Sequence, residues 1–262
     1  MKYKRLVIVL TSIILVLMLT FAYLYWPIST KLPNLSSANY YIAHGGGAID
    51  GYTYTNSLEA VLLSIKKGYK YIELDLQLTA DDHLVCMHSM EDFKRMTNTA
   101  DSIDITIQVF KKLSIYGRYT PITAEDVAMI IKKYGIILVT DKISDPKILN
   151  QYFYKVRKQV MVEAFSLDDY QKLKTLGYTP MLSIKSKKLV RDYLIQCLKN
   201  KGPIDYISTA VYYDAIPRLR FIKKLFDTKI LVYVPYSPQS FKSYLGNEID
   251  MIYIDDKNIM TH

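Results

Sequence analysis

Short apolar runs of strand character alternate with amphipathic segments of helix character from Tyr40 onward, and this alternation constrains the fold most. It is typical of a parallel sheet whose strands are joined by crossover helices. An α/β domain is therefore expected at residues 40–262. The strand-like runs are Tyr40–His44, Tyr71–Leu76, Leu84–His88, Ile136–Asp141, Val160–Phe165, Pro180–Ile184, Tyr206–Thr209, Ile230–Val234 and Met251–Asp255.

The second and third runs are joined by a connection that is too short for a parallel crossover. Only about seven residues separate Leu76 from Leu84, whereas a crossover needs a dozen or more. These runs should form a hairpin that turns at residues 80–83, with His88 opposite Asp75 on the same face. The other eight runs fit a (β/α)₈ TIM barrel with an extra β-hairpin near strand 2. An open doubly wound sheet is the alternative.

The N-terminus has a different composition from the rest of the chain. Residues 1–5 carry three positive charges. Residues 6–26 carry no charge, and this segment is long enough to form a transmembrane helix. The basic residues on the near side predict a cytoplasmic N-terminus, a single-pass anchor in the cell membrane and an extracytoplasmic domain. Residues 27–39 read as a linker. A cleaved signal peptide is the alternative, although residues 21–27 offer no convincing cleavage site.

The net charge of +9 suits a polyanionic partner such as an acidic membrane surface or a phosphate-bearing polymer. The lysine pairs are nevertheless scattered near predicted helix ends, where they suit solubility and the helix dipole. No nucleic-acid recognition motif is present and the charge is diffuse, so nucleic acid is not an expected partner. No obligate protein partner is evident either.

Two histidines are candidates for acid–base chemistry. His44 ends the first run and is followed by three glycines, Gly45–Gly47. An imidazole at the mouth of a barrel strand, beside glycines that let a ligand approach, suits a catalytic role, and a hydrogen-bonded loop histidine is the alternative. His88 ends the hairpin and should reach the same face as Asp75. The sequence thus predicts both histidines at one end of the barrel.

Several acidic residues are candidate ligands of a cation. Glu73 and Asp75 lie two apart in one strand, so their side chains point the same way. Inward carboxylates are costly unless they are paired or bind a cation, and oxygen ligands suit Mg²⁺ or Ca²⁺; a solvated strand end is the alternative. Asp141 could complete the site and Lys142 could meet a phosphate oxygen, but both point inward only if their strand ends or bulges there. Glu163 is a further candidate, with a rim ion pair as its alternative.

Taken together, these residues resemble the glycerophosphodiester phosphodiesterase family. The family pattern is an early His, a helix-opening segment, a Glu-x-Asp strand, a turn, a second His and a closing acidic strand. The resemblance covers about residues 40–256. The segments that carry it are Ile42-Ala43-His44-Gly45, Thr55-Asn56-Ser57, Ile72-Glu73-Leu74-Asp75, Leu78-Thr79-Ala80-Asp81-Asp82, Val85-Cys86-Met87-His88, Arg118–Thr123 and Glu248–Asp256.

The resemblance implies metal-dependent hydrolysis of glycerophosphodiester-type phosphodiesters. In the family, a substrate hydroxyl next to the phosphate attacks first, and water then opens the resulting cyclic phosphate. The resemblance implies that His44 and His88 act as general base and general acid. Glu73, Asp75 and Asp141 would bind one divalent cation, Mg²⁺ or Ca²⁺. Lys142 would bind the phosphate.

The chain departs from the usual family pattern at three places. Gly45 stands where the family usually has Arg, and Ser89 stands where it usually has Asp. The common Glu-x-Lys appears as Thr140-Asp141-Lys142. Loss of the Arg removes a bidentate phosphate ligand, which leaves the substrate class open.

Other functions remain open at this level. One is a phospholipase-like enzyme that acts on lipid head groups or on wall or capsular polymers, since fold analogy does not choose among substrates. Another is a catalytically inactive barrel used for binding. A glycoside hydrolase is disfavoured because Glu73 and Asp75 adjoin on one strand, whereas glycosidase carboxylates flank a bond across about 5–9 Å.

Overall fold

The computed structural model describes residues 2–26, 28, 39–184, 188–234 and 238–256. Within these residues, nine strands form one sheet in the order β1-β9-β8-β7-β6-β5-β4-β2-β3, and a β1–β2 pairing closes eight of them into a parallel barrel. The predicted (β/α)₈ barrel is thus confirmed. The strands are β1 (Tyr41–Ala43), β2 (Tyr71–Leu78), β3 (Leu84–Cys86), β4 (Ile137–Asp141), β5 (Val160–Ala164), β6 (Thr179–Ser183), β7 (Tyr206–Ala210), β8 (Lys229–Tyr233) and β9 (Met251–Ile254).

The predicted hairpin is present, but its predicted register is wrong by one residue. Strand β3 pairs antiparallel with β2, with Leu78 opposite Leu84. The intervening loop therefore has five residues, 79–83, and the backbone N–H of Met87, not that of His88, donates to the Asp75 carbonyl at 3.0 Å. His88 still lies at the mouth of the barrel, two residues after β3 ends at Cys86.

Helices connect the strands and cover the outside of the barrel. Their boundaries follow local signals: Thr123 and Asp126 form a capping box at the start of α5, and Gly135 closes that helix in the left-handed conformation. The helices are α1 (Lys2–Tyr25), α2 (Leu58–Lys66), α3 (Met90–Thr97), α4 (Ile107–Phe110), α5 (Ala124–Tyr134), α6 (Pro146–Phe153), α7 (Leu167–Thr175), α8 (Leu189–Asn200) and α9 (Ile216–Leu225).

Side chains alternate between the lumen of the barrel and the helices, as the period of two requires. In β4, Leu138 belongs to the cluster beneath the helices, whereas Val139 belongs to the cluster that fills the lumen. Asp141 is the next lumen-facing position towards the carboxyl end of the strand. Apolar residues therefore fill the lumen below the carboxyl ends of the strands. The last inward position of a strand can then hold a polar, functional side chain.

The N-terminal helix α1 lies outside the barrel. Many of its apolar side chains are exposed, among them Met18 and Phe21. Its end contacts α9, where the Lys224 ammonium donates to the carbonyl oxygens of Tyr23 and Trp26. None of the helices in the described part of the chain is both long and apolar enough to cross a membrane, so the structure does not support the transmembrane anchor predicted at residues 6–26. Most of the predicted linker lies outside the described residues.

Candidate active site

A cavity of about 660 Å³ opens at the carboxyl ends of the barrel strands, where TIM barrels carry their active sites. It brings together side chains from β2, β4 and β5 and from the segments that follow β1 and β3. The cavity is lined by every residue predicted from the sequence, namely His44, Glu73, Asp75, His88, Asp141, Lys142 and Glu163.

Three carboxylates form a compact cluster in this cavity. Glu73, Asp75 and Asp141 each offer an oxygen that lies within 4.8 Å of the others. The cluster follows from the sheet register, since Asp75 and Asp141 are direct partners on neighbouring parallel strands. Burial, followed by the charge of Asp75, raises the pKa of Glu73 well above its ordinary value. Three carboxylates that lie this close repel one another, and their oxygen atoms suit a divalent cation such as Mg²⁺ or Ca²⁺.

Neighbouring groups hold two of these carboxylates in place. The backbone N–H of Gly45 donates to Glu73 Oε2 at 2.7 Å. The Asn56 side chain contacts Asp75 twice: its Nδ2 donates to Oδ2, and its Oδ1 accepts from the backbone N–H, both at 3.0 Å. Asn56 is fully buried, so these bonds satisfy an amide that would otherwise be costly to bury. Such contacts fix the orientation of ligating side chains.

Lys142 turns into the cavity beside Asp141 because the strand ends between them. Strand β4 stops at Asp141, and Lys142 has a left-handed φ of +72°. Its Nζ lies 2.7 Å from Asp141 Oδ2 and 3.5 Å from Asp75 Oδ1. Burial alone would lower the pKa of Lys142, but the hydrogen bond and charge of Asp141 outweigh this and raise it. A permanent cation therefore stands next to the acidic cluster.

Each histidine has a carboxylate partner that the sequence analysis did not identify. His88 Nδ1 lies 2.7 Å from Asp92 Oδ2, and His44 Nδ1 lies 3.4 Å from Asp255 Oδ1. The hydrogen bonds from His88 and Ser89 lower the pKa of Asp92 to about 2, so this carboxylate is ionised at neutral pH. The four-residue spacing from His88 was the signal for Asp92, and Asp255 lies in the closing segment that carried the resemblance.

Glu163 lines the cavity but stands apart from the three-carboxylate cluster. Burial, with a further contribution from the charge of Asp141, raises the pKa of Glu163 to about 7. Ser183, on the next strand, opposes this rise in part. This carboxyl is thus placed to contact substrate or to titrate near neutral pH, rather than to complete the cation site.

Gly45 and Tyr54 occupy the space beside His44. Gly45 has a φ of +54°, and a Cβ atom there would lie 2.7 Å from the Tyr54 Cα, so no larger residue fits without a backbone shift. The Tyr54 ring contacts the His44 ring edge-on, at a centroid distance of 4.4 Å. Burial, with the charge of Asp255, raises the pKa of Tyr54 to about 12. No motif or spacing in the sequence pointed to this tyrosine.

Comparisons with known proteins agree on one family. The sequence model of the Glycerophosphoryl diester phosphodiesterase family matches residues 44–234, well over half of the chain. A Bacillus subtilis (strain 168) protein, YhdW, whose name assigns it provisionally to the glycerophosphodiester phosphodiesterases, is 36% identical over 83 residues. That match covers 31% of this chain and 33% of YhdW, about a third of each.

Solved structures share the fold at low sequence identity. The Thermotoga maritima glycerophosphodiester phosphodiesterase has a TM-score of 0.63 at 21% identity, covering 84% of this chain and 96% of that chain. An Oleispira antarctica phosphodiesterase in complex with the product sn-glycerol-3-phosphate has a TM-score of 0.66 at 18% identity, covering 88% of this chain and 96% of that chain. With a family match over most of the barrel and a cavity that holds the predicted residues, the chain belongs to the glycerophosphoryl diester phosphodiesterase family.

Proposed function

We propose that this enzyme hydrolyses glycerophosphodiester-type phosphodiesters with a divalent cation and with His44 and His88 as general base and general acid. The proposal is supported by the side chains that share one cavity. Two imidazoles, each next to a carboxylate, lie beside a cluster of three further carboxylates and a lysine. Hydrolysis of a phosphodiester needs proton transfer at the attacking and leaving oxygens and neutralisation of charge on the others. The cavity offers side chains for each task.

The protein side chains divide the work as follows. Glu73, Asp75 and Asp141 would hold the cation, which when bound polarises the phosphodiester and offsets its charge. One imidazole removes the proton of the attacking hydroxyl, and the other supplies a proton to the leaving oxygen. The Lys142 ammonium donates to a non-bridging phosphate oxygen.

A small glycerophosphodiester is the substrate that the family favours, and the Oleispira antarctica relative was solved with sn-glycerol-3-phosphate as its product. A bulkier leaving group, such as a lipid head group or a unit of a polymer, is the second candidate. Phe165 and Tyr233 favour it, because both line the cavity while about half of each side chain is exposed. Such rings offer a stacking surface at the entrance.

We also propose that the domain acts outside the cytoplasm. The support is the basic segment at residues 1–5, followed by the uncharged run at 6–26, a pattern shared by exported proteins. Protease treatment of intact cells, with a cytoplasmic protein as control, tests this location. Degradation of the domain without cell lysis is expected, and full protection would contradict export.

The first experiment is an assay of the purified chain on small glycerophosphodiesters with Mg²⁺, with Ca²⁺ and with chelator. Release of glycerol phosphate should require a cation, and His44→Ala and Glu73→Gln should each lower kcat by about 100-fold or more. Asp168→Asn, which alters an exposed ion pair with Lys172 on α7, is the control. A folded parent that binds a cation without turnover would favour the polymeric substrate. One that does neither would support an inactive barrel.

A further inference from the structure

Tyr54 stands between the two histidines of the cavity. Its ring centroid lies 4.4 Å from that of His44 and 5.8 Å from that of His88, with interplanar angles of 65° and 77°. Both contacts are edge-on, so one aromatic ring bridges the two imidazoles along the cavity wall. A phosphodiester that reacts between these imidazoles therefore lies against Tyr54.

The loop around Tyr54 holds the ring in a defined place. Tyr54 has a left-handed φ of +56°, which is uncommon for a residue with a large side chain. The backbone of Gly45 packs directly against its Cα, and Asn56, two residues later, is bonded twice to Asp75. The position of the Tyr54 ring is thus coupled to the acidic cluster, which is how a preorganised ligand group is held.

The Tyr54 side chain also lies within the electrostatic field of the site. Asp255, Glu73, Asp75 and Lys142 all act on its phenol group. The hydrogen bond of Tyr54 found within the described part of the chain involves its backbone carbonyl, 3.5 Å from Asn56 Nδ2, and leaves the hydroxyl available. An undissociated phenol in this place is a neutral O–H donor that faces an anionic substrate.

We propose that the Tyr54 hydroxyl binds a non-bridging oxygen of the substrate phosphate, alongside Lys142. The inference rests on the proposed function and adds a specific phosphate ligand to it. A phosphodiester has two non-bridging oxygens, and the ammonium of Lys142 meets only part of their hydrogen-bonding capacity. Tyr54 supplies a donor beside the line that joins His44 to His88, without adding a second positive charge next to the cation site.

Tyr54→Phe tests the proposal, because it keeps the ring between the imidazoles and removes only the hydroxyl. Loss of a hydrogen bond to a charged group should lower kcat/KM roughly 10- to 100-fold. Inhibition by inorganic phosphate, measured with the cation present, should weaken in parallel. The melting temperature and the cation affinity should stay at the parental values. Tyr52→Phe is the matched control, since Tyr52 is on the same loop but stacks on Tyr116 at 4.2 Å outside the cavity.

The outcomes separate this inference from the function on which it rests. A parent that hydrolyses neither small nor polymeric phosphodiesters contradicts the proposed function, whereas phosphate binding, measured by calorimetry in the presence of Mg²⁺, still tests Tyr54. Parental kcat/KM and phosphate affinity in Tyr54→Phe would overturn the inference. So would a loss of activity that comes with weaker cation binding and unchanged phosphate inhibition, since that result would assign the ring a structural role.

Discussion

Asp92 Oδ2 lies 2.7 Å from His88 Nδ1, and this contact sets the tautomer of the histidine. The pKa of Asp92 is lowered to about 2 by its hydrogen bonds with His88 and Ser89, so it is ionised and accepts only. The proton of a neutral His88 ring must then be on Nδ1, which leaves Nε2 for the substrate. The contact depends on helix α3 beginning after Ser89, because Asp92 lies in the first turn of that helix.

Asp92→Asn should lower kcat by roughly 100-fold or more, because an amide oxygen orients the imidazole less firmly and stabilises its cationic form less. Steady-state kinetics at saturating cation would measure the effect. The exposed Asp168→Asn change provides the control for loss of a surface carboxylate. Parental kcat in Asp92→Asn would mean that this contact has no part in orienting His88 for catalysis.

Asn56→Gly should weaken cation binding about 10- to 100-fold, because Asn56 orients Asp75 through two hydrogen bonds. Glycine tolerates the left-handed φ of +49° at this position, so the change removes the side chain without adding backbone strain. Calorimetric titration with Mg²⁺ measures the affinity. Asn98→Gly is matched in conformation, with a φ of +54° at the end of α3, and should bind the cation as the parent does. Equal affinities in both variants would rule out the orienting role.

The cation cluster could be predicted because it depends on short-range geometry. Glu73 and Asp75 share a face through the period of two, and Asp141 joins them because it ends the next strand of the parallel barrel. The position of Lys142 was harder to predict, because a strand places neighbouring side chains on opposite faces. Only the left-handed turn at Lys142 brings its side chain into the cavity beside that of Asp141.

The hairpin register and the partners of the histidines depend on contacts that composition does not fix. Thr79 extends the turn to five residues because its N–H donates to the His83 carbonyl and its Oγ1 accepts from the His83 N–H. Asp81 is held in that loop by accepting from the backbone N–H of Ile107 at the start of α4. These bonds shift the register by one residue. Asp255 meets His44 only through closure of the barrel between β1 and β9.

Lys142→Met should change activity and cation affinity in opposite directions. Removal of the ammonium takes away a phosphate ligand, which should lower kcat/KM roughly 10- to 100-fold. It also removes a positive charge 2.7 Å from Asp141 and 3.5 Å from Asp75, so Mg²⁺ should bind several-fold more tightly. Kinetics and calorimetry report the two effects separately. Lys172→Met, at an exposed site on α7, is the control, and weaker Mg²⁺ binding in Lys142→Met would contradict the electrostatic argument.

Glu163 should make the stability of the metal-free protein depend on pH. Its pKa is raised from 4.5 to about 7 by burial and by the charge of Asp141. The folded state therefore binds more protons than the unfolded state between these values, so the stability that Glu163 contributes at low pH is lost as pH rises towards about 7. Across this window the loss is at most roughly 3 kcal/mol. The glutamine side chain in Glu163→Gln cannot ionise, so this variant should lack the pH-dependent contribution of Glu163 to the free energy of unfolding.

Urea unfolding at pH 5 and pH 8, with chelator present, measures the effect as a difference between proteins. Glu73 also has a raised pKa, but it is present in both proteins, so its contribution cancels in the comparison. The free energy of unfolding should fall less between the two pH values in Glu163→Gln than in the parent. Glu125→Gln, at an exposed position on α5, should follow the parent. The same pH dependence in parent and Glu163→Gln would show that Glu163 ionises with little cost in the folded state, and that the cavity is wetter at this point than its burial implies.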